Sequence, residues 1–175
     1  MSAQIWRRMQ LLFAHGVGLL IGNEKIQARV LSDETLGNLA RVEPYGFSYR
    51  PKPGCQPYLV FPGGDRSYGL ALVIGDKRYQ MELEEGEVAL HDDQGQSVRL
   101  GRSGIVIDGA GKPVTITNTP EVLADTPLFK CSGDILDNAG QGGQTMSAMR
   151  ELYDRHTHQE NDVRGQTAVP TQRTK

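Results

Sequence analysis

The sequence predicts an all-β protein in two successive parts, a small barrel and then a narrow ladder of very short strands. Three observations lead there. Short β-type runs broken by turn residues fill residues 17–80, and apolar residues then arrive as alternating pairs from Val88 onward, with Gly- and Asn-containing turns between them. The composition is also poor in core-forming material, with 38% hydrophobic and 6% aromatic residues beside 21 glycines. A compact domain ordinarily carries a larger apolar share. The 175 residues therefore suit a small domain followed by something elongated.

Residues 1–16 read as an N-terminal helical segment, because Ile5, Met9, Leu12 and Phe13 fall near one face at helical spacing. Arg7 and Arg8 interrupt the apolar stretch, which argues against a secretory signal. The longest apolar run, Val17 to Ile21, is far short of the roughly 20 residues that a bilayer-spanning helix needs.

Residues 17–80 hold five predicted strands: Gly18–Ile21, Ile26–Leu31, Leu36–Val42, Tyr58–Phe61 and Tyr68–Ile74. Gly22-Asn23, Pro51-Lys52-Pro53-Gly54 and Pro62-Gly63-Gly64 break them. Five short strands so spaced suit a small barrel of the OB type, and a small β-sandwich gives the same signal.

Residues 81–144 carry the pairs Val88/Leu90, Val98/Leu100, Ile105/Ile107, Val114/Ile116 and Val122/Ala124, then Phe129 and Ile135/Leu136. The intervening Gln94-Gly95, Arg102-Ser103-Gly104, Gly109-Ala110-Gly111 and Asn118-Thr119-Pro120 are good turn formers. Side chains alternate across a strand, so each strand offers only two to one face. A stripe that thin cannot close a core alone and needs neighbours. An intertwined homotrimer satisfies it, by setting each stripe against two others; a single-chain β-solenoid and an edge-to-edge dimer are the other solutions.

Residues 145–175 form the last part, after a polar, Gly-rich break at Asp137–Gln144. A short helix is expected with Thr145 or Ser147 as N-cap and Met146, Met149, Leu152 and Tyr153 on its apolar side. His156-Thr157-His158 follows, and then a tail too polar to fold alone.

Those two histidines are the one candidate constellation for chemistry. On a helix they would project about 200° apart, whereas in an extended segment they share a face. One chain then supplies two imidazoles, and a threefold assembly supplies six. Six nitrogens disfavour zinc, which prefers four ligands, and point to Fe(II) or Ni(II). Taken alone, the pair reads as two exposed loop histidines; the inferred symmetry is what makes His156 and His158 candidate metal ligands.

Other features weigh less. His15 and His91 have no partner at ligand spacing, and Cys55 and Cys131 fit no metal or redox spacing, so they are expected as unpaired thiols of a protein assembled in a reducing compartment. Asp108-Gly109-Ala110-Gly111-Lys112 lacks the Gly and Ser/Thr that a phosphate loop requires, Val106 and Pro113 standing at those places. Glu82, Glu84 and Glu85 read as a solvated face or turn. No nucleophile motif occurs, so an enzyme is not expected. Tyr45, Phe47, Tyr49, Arg50 and Lys52 cluster between the third and fourth strands as a nucleic-acid or protein-docking surface. With 19 Lys+Arg against 21 Asp+Glu and a net charge of −2, docking is favoured and no nucleic-acid partner is expected.

The order of parts, with the closing Met149-Arg150-Glu151-Leu152-Tyr153-Asp154-Arg155-His156-Thr157-His158, resembles the baseplate assembly protein V family, the central spikes of P2-like and Mu-like contractile phages. Thr167-Ala168-Val169-Pro170-Thr171-Gln172-Arg173 is similar to the closing strand of the Mu-like branch. Gln159-Glu160-Asn161-Asp162 departs from the Gly-rich stretch usual after the histidines. The resemblance implies a homotrimer with an OB-fold collar, an intertwined triple-stranded β-helix shaft and an apex where His156 and His158 of each chain hold one iron ion through six histidines. Further structural ions at the apex are assigned to no residue. It implies a non-enzymatic, membrane-piercing spike in the virion's tail baseplate, assembled in the host cytoplasm. Its expected partners are the baseplate hub, the tail tube and, transiently, the host outer membrane. The rival functions are a single-stranded nucleic-acid-binding OB protein and the spike tip of a contractile secretion-type machine.

Overall fold

The computed structural model describes residues 3–31, 34–159 and 165–172. The chain divides into two compact units, residues 1–115 and 116–175. The secondary structure is mostly β, with nine strands and two α-helices among the described residues.

The first unit opens with helix α1 (Ala3–Gln10). Its backbone lies so close to Gly64 that a Cβ there would come within 2.6 Å of the Arg8 carbonyl oxygen, and Gly64 also has a φ of +73°. The helix expected through residue 15 stops at Gln10, because Phe13–His15 (β1) pairs antiparallel with Gln56–Val60 (β5). Helical spacing at Leu12 and Phe13 is overridden by this distant partner.

The remaining strands fall where the alternating runs predict them. Val17–Ile21 (β2) pairs with Lys25–Arg29 (β3), which pairs with Thr35–Arg41 (β4). β4 lies parallel to Leu70–Gly75 (β6), itself antiparallel to β5. The sheet order is β1-β5-β6-β4-β3-β2. Both ends of that order belong to one run, residues 13–21, which changes partner at its middle. Gly16 donates to the Pro57 carbonyl at 3.2 Å and Gly18 to the Cys55 carbonyl at 2.9 Å, while Val17 and Gly18 pair with Arg29 and Ala28. The sheet thus returns on itself. A Cβ on Gly16 would sit 2.3 Å from the Arg29 carbonyl oxygen, so only glycine fits at the crossing.

Inside lie Ile21, Ile26, Ala28, Val30, Leu39, Cys55, Leu59, Phe61, Ala71 and Ile74, the buried apolar side chains of the described residues. Arg41 is also covered; it donates to the Gly22 carbonyl at 2.7 Å, to the Tyr49 carbonyl and to Glu43. Arg50 donates to the Ile21 carbonyl at 2.8 Å. Together they root the 42–50 loop on the β2–β3 turn and leave Tyr45 and Phe47 exposed at its tip.

The same unit continues into a three-stranded antiparallel meander of Val88–His91 (β7), Ser97–Gly101 (β8) and Gly104–Asp108 (β9). Register sets Val88, Leu100 and Ile105 in one cross-strand row and Leu90, Val98 and Ile107 in the next. These six side chains share one face, and all are exposed in the single chain, Ile105 at 70%. Arg99 and Val106 lie on the opposite face. The Asp108–Lys112 stretch is a tight turn closed by the Lys112 amide on the Gly109 carbonyl at 2.9 Å.

One carboxylate ties the meander's start to its second turn. Glu87 accepts from the Glu84 amide at 3.1 Å, the Arg102 amide at 3.1 Å and the Arg99 guanidinium Nε at 3.1 Å. The Glu84 amide and the Arg99 guanidinium hold its carboxyl below the usual carboxylate range. Its folded value lies under its unfolded value, so its contribution is complete above the unfolded value of about 4.3 and is lost as pH falls through the folded one. The protection of the β7 and β8 amides, taken relative to their intrinsic exchange rates at each pH, should therefore fall below about pH 4. Glu87→Gln should show the lower protection already at neutral pH and little further change on acidification; equal protection profiles for the two proteins would refute this role.

In the second unit the pairs from Ile116 to Phe129 form no hydrogen-bonded strand among the described residues, and Val122 and Phe129 are exposed. The strand ladder predicted for this stretch is absent from the single chain, except for a bridge between Leu136 and Thr145. Strands need partners, and the chain offers none here. What does recur is a seven-residue unit that the apolar pairs alone conceal: Asn118-Thr119-Pro120-Glu121 and Asp125-Thr126-Pro127-Leu128. Each threonine hydroxyl donates to the carbonyl two residues on, at 2.9 Å to Glu121 and 3.3 Å to Leu128.

Candidate metal site at the end of the second helix

The second unit builds its C-terminal end from a loop that fixes the start of a helix. Asp137 and Gln144 are joined through the Gln144 amide on Asp137 Oδ1 at 2.9 Å. A Cβ on Gly143 would fall 1.8 Å from the Asp137 carbonyl oxygen, so this turn needs glycine. Helix α2 (Met146–Arg155) follows, with Thr145 as N-cap accepting from the Ala148 amide at 3.1 Å. Asp134 accepts from the Ser147 amide at 3.2 Å. The Thr145 side chain, and then the Ile135 and Ser147 amides, hold the Asp134 carboxyl below its ordinary value.

The helix ends at His156, whose backbone is extended at φ −68° and ψ 148°. His156 and His158 consequently lie side by side, ring centroids 5.1 Å apart and ring planes at 88°. His156 also sits 5.1 Å from the Tyr153 ring, and its Nδ1 lies 2.5 Å from the Tyr153 carbonyl oxygen. The chain then returns: Thr167 bonds both backbone groups of His158, and Gln159 bridges Gln166. Of the departing Gln159-Glu160-Asn161-Asp162 stretch only Gln159 is described, and Arg173 of the tail also lies outside the described residues.

Neighbouring imidazoles suit a borderline metal ion, and two of them fill only part of a coordination shell. No group of three or more His, Cys, Asp or Glu side chains that could hold a metal occurs among the described residues.

The other sequence candidates are dispersed. His15 is exposed on β1 and His91 at the end of β7. Cys55 is buried and Cys131 exposed, both as free thiols. Tyr49 packs against the core of the first unit, away from Tyr45 at the loop tip. No helix among the described residues is long and apolar enough to cross a membrane. Sequence reasoning missed Glu87, Asp134, Gln166 and Thr167. All four act across turns or through the return of the chain, which local pattern does not encode.

A β-rich chain with this much uncovered apolar surface belongs to the class of assembly proteins, which finish their cores against other subunits. Residues 24–78 match the family model described as Bacteriophage Mu Gp45, N-terminal. The chain is 29% identical over 143 residues to the baseplate puncturing device gp45 of Escherichia phage Mu, covering 79% of this chain and 72% of that protein. It is 27% identical over 143 residues to the Mu-like prophage FluMu protein gp45 of Haemophilus influenzae, covering 76% and 78% respectively. The chain is thus similar to Mu-like gp45 proteins, one of them a baseplate puncturing device, over about three quarters of its length.

Proposed function

We propose that the protein is the structural central spike of a contractile phage tail baseplate, a non-catalytic needle carried in the virion that pierces the host outer membrane. The relationship to a baseplate puncturing device names the machine. The observation that carries the physical reading is the uncovered six-residue apolar face of β7–β9, with every apolar side chain in register. Three copies twined about one axis would bury it, and would give strand partners to residues 109–135. The result is a triple-stranded β-helix shaft without open edges.

The sheet of the first unit supports an OB-type collar. Its run 13–21 is followed in order by β3, β4, β6 and β5, with β4 and β6 parallel, and β5 returns to the first run. The exposed aromatic tip at Tyr45 and Phe47 suits docking on the baseplate hub, and the opposite end of the chain suits the apex. There His156 and His158 of three chains would hold one iron ion, which would tie three chain ends together where no apolar core exists.

Sedimentation equilibrium with elemental analysis tests the reading. A three-chain mass and about one iron per trimer are expected, whereas a stable single-chain species at micromolar concentration would sink the needle. In His156→Ala with His158→Ala, iron should be lost while the three-chain mass persists. Undiminished iron in that variant would remove the metal site from these residues.

A further inference from the structure

The segment that returns past the histidines bonds to the backbone beside them. The His158 amide donates to Thr167 Oγ1 at 2.8 Å, and the Thr167 amide donates to the His158 carbonyl at 2.9 Å. One residue thus occupies both backbone hydrogen-bonding groups of a histidine in the candidate site. On either side, the Thr157 hydroxyl donates to Gln166 Oε1 at 3.1 Å, and the Gln159 side-chain amide donates to the Gly165 carbonyl at 3.0 Å. A helical continuation of α2 through residue 158 would leave the two rings on nearly opposite sides. Pairing with Gly165–Thr167 forbids that continuation, because it claims the His158 amide that a helix would turn inward.

The ring of His156 is fixed by a separate contact. A carbonyl oxygen can only accept, so the nitrogen facing the Tyr153 carbonyl must carry the proton. That nitrogen is Nδ1, which leaves the Nε2 lone pair available for an ion.

Resting on the metal reading above, we propose that Thr167, supported by Gln166, is the positioning residue of the apex: it holds His156-Thr157-His158 extended so that the Tyr153 carbonyl can lock the His156 ring with Nε2 free. The residue sits beyond the histidines in sequence and is itself no ligand. Its role is to keep the donor pair assembled before an ion arrives.

The test uses the full chain, loaded with Fe(II) alone, and its metal-free form labelled with ¹⁵N at histidine. Thr167→Ala should release iron to an excess chelator about 10–100-fold faster, the range found when partners that orient metal ligands are removed. Thr167→Ser, which keeps the hydroxyl, should restore the slow release. In the metal-free wild type, the ¹⁵N shifts of His156 should report the Nδ1–H tautomer, and in Thr167→Ala a mixture. Release from Thr167→Ala at the wild-type rate, while His156→Ala with His158→Ala loses its iron, would overturn the positioning role and leave the metal reading standing. A wild type that binds no iron yet shows the Nδ1–H tautomer, lost in Thr167→Ala, would overturn the metal reading and keep the strap. An Nε2–H tautomer in the metal-free wild type would overturn the positioning role outright. Should Thr167→Ala fail to fold, Gln166→Ala removes only the bond to Thr157 and should shift the same readouts in the same direction.

Discussion

On the three-chain reading proposed above, replacing Leu100 by aspartate should reduce the protein to single chains while leaving the six-stranded sheet folded. Leu100 is the middle member of the row Val88, Leu100 and Ile105, and nothing in its own chain covers that row. Burying an aliphatic side chain of this size contributes roughly 1.5–3 kcal/mol. A carboxylate in its place forfeits that and adds an unpaired buried charge costing several kcal/mol, once in each copy. Ten-fold weaker association follows from every 1.4 kcal/mol or so, so the loss spans many orders of magnitude. The core of the six-stranded sheet, whose buried residues run from Ile21 to Ile74, shares no side chain with this face. Sedimentation should show a single-chain mass, with the β-type circular dichroism of that sheet retained. Val106→Ser, on the other face of the meander, should keep the wild-type mass. A three-chain Leu100→Asp protein would show that the seam runs elsewhere.

Truncating Phe61 to alanine should strike the opposite part. Its side chain is completely buried just after β5, where its amide donates to the Leu12 carbonyl at 2.8 Å and so extends the pairing of β1 with β5. The ring occupies the space that a side chain at residue 69 would need: a Cβ on Gly69 would lie 2.8 Å from Phe61 Cε1 and 2.4 Å from Leu39 Cδ2. The Arg66 guanidinium covers the ring from outside, 4.8 Å from its centroid. Losing a buried Phe ordinarily costs about 3–5 kcal/mol, a large part of the roughly 5–15 kcal/mol that holds a domain folded. A matching fall in the urea midpoint for unfolding of the six-stranded sheet is expected. A loss under about 1 kcal/mol would mean that the core is not organised round this ring.

What the sequence discloses depends on how far each determinant reaches. Strands β2 to β6 are legible because alternation and Gly- or Pro-containing breaks are local signals, and the breaks at Gly22-Asn23 and Pro62-Gly63-Gly64 fall between strands as expected. Thr145 is legible as an N-cap for the same reason. Helix α1 is drawn too long because Leu12 and Phe13 satisfy a helical spacing, whereas their real partners stand at Val60 and Phe61. His156 and His158 are conspicuous as a pair two residues apart, and a helix ending before them makes their shared face an inference from geometry. Thr167 is legible only as the start of the stretch similar to a closing strand; its bonds to His158 are silent until the chain folds back.

The paired units at Thr119-Pro120 and Thr126-Pro127 carry a consequence for size. Each closes its own small bend with its own hydroxyl and asks nothing of a distant residue. Such a unit is self-contained, so a whole seven-residue step should be open to insertion or deletion without changing the hydrogen bonds on either side of it. The length of this stretch is thereby a quantity that evolution or a designer can change by counting.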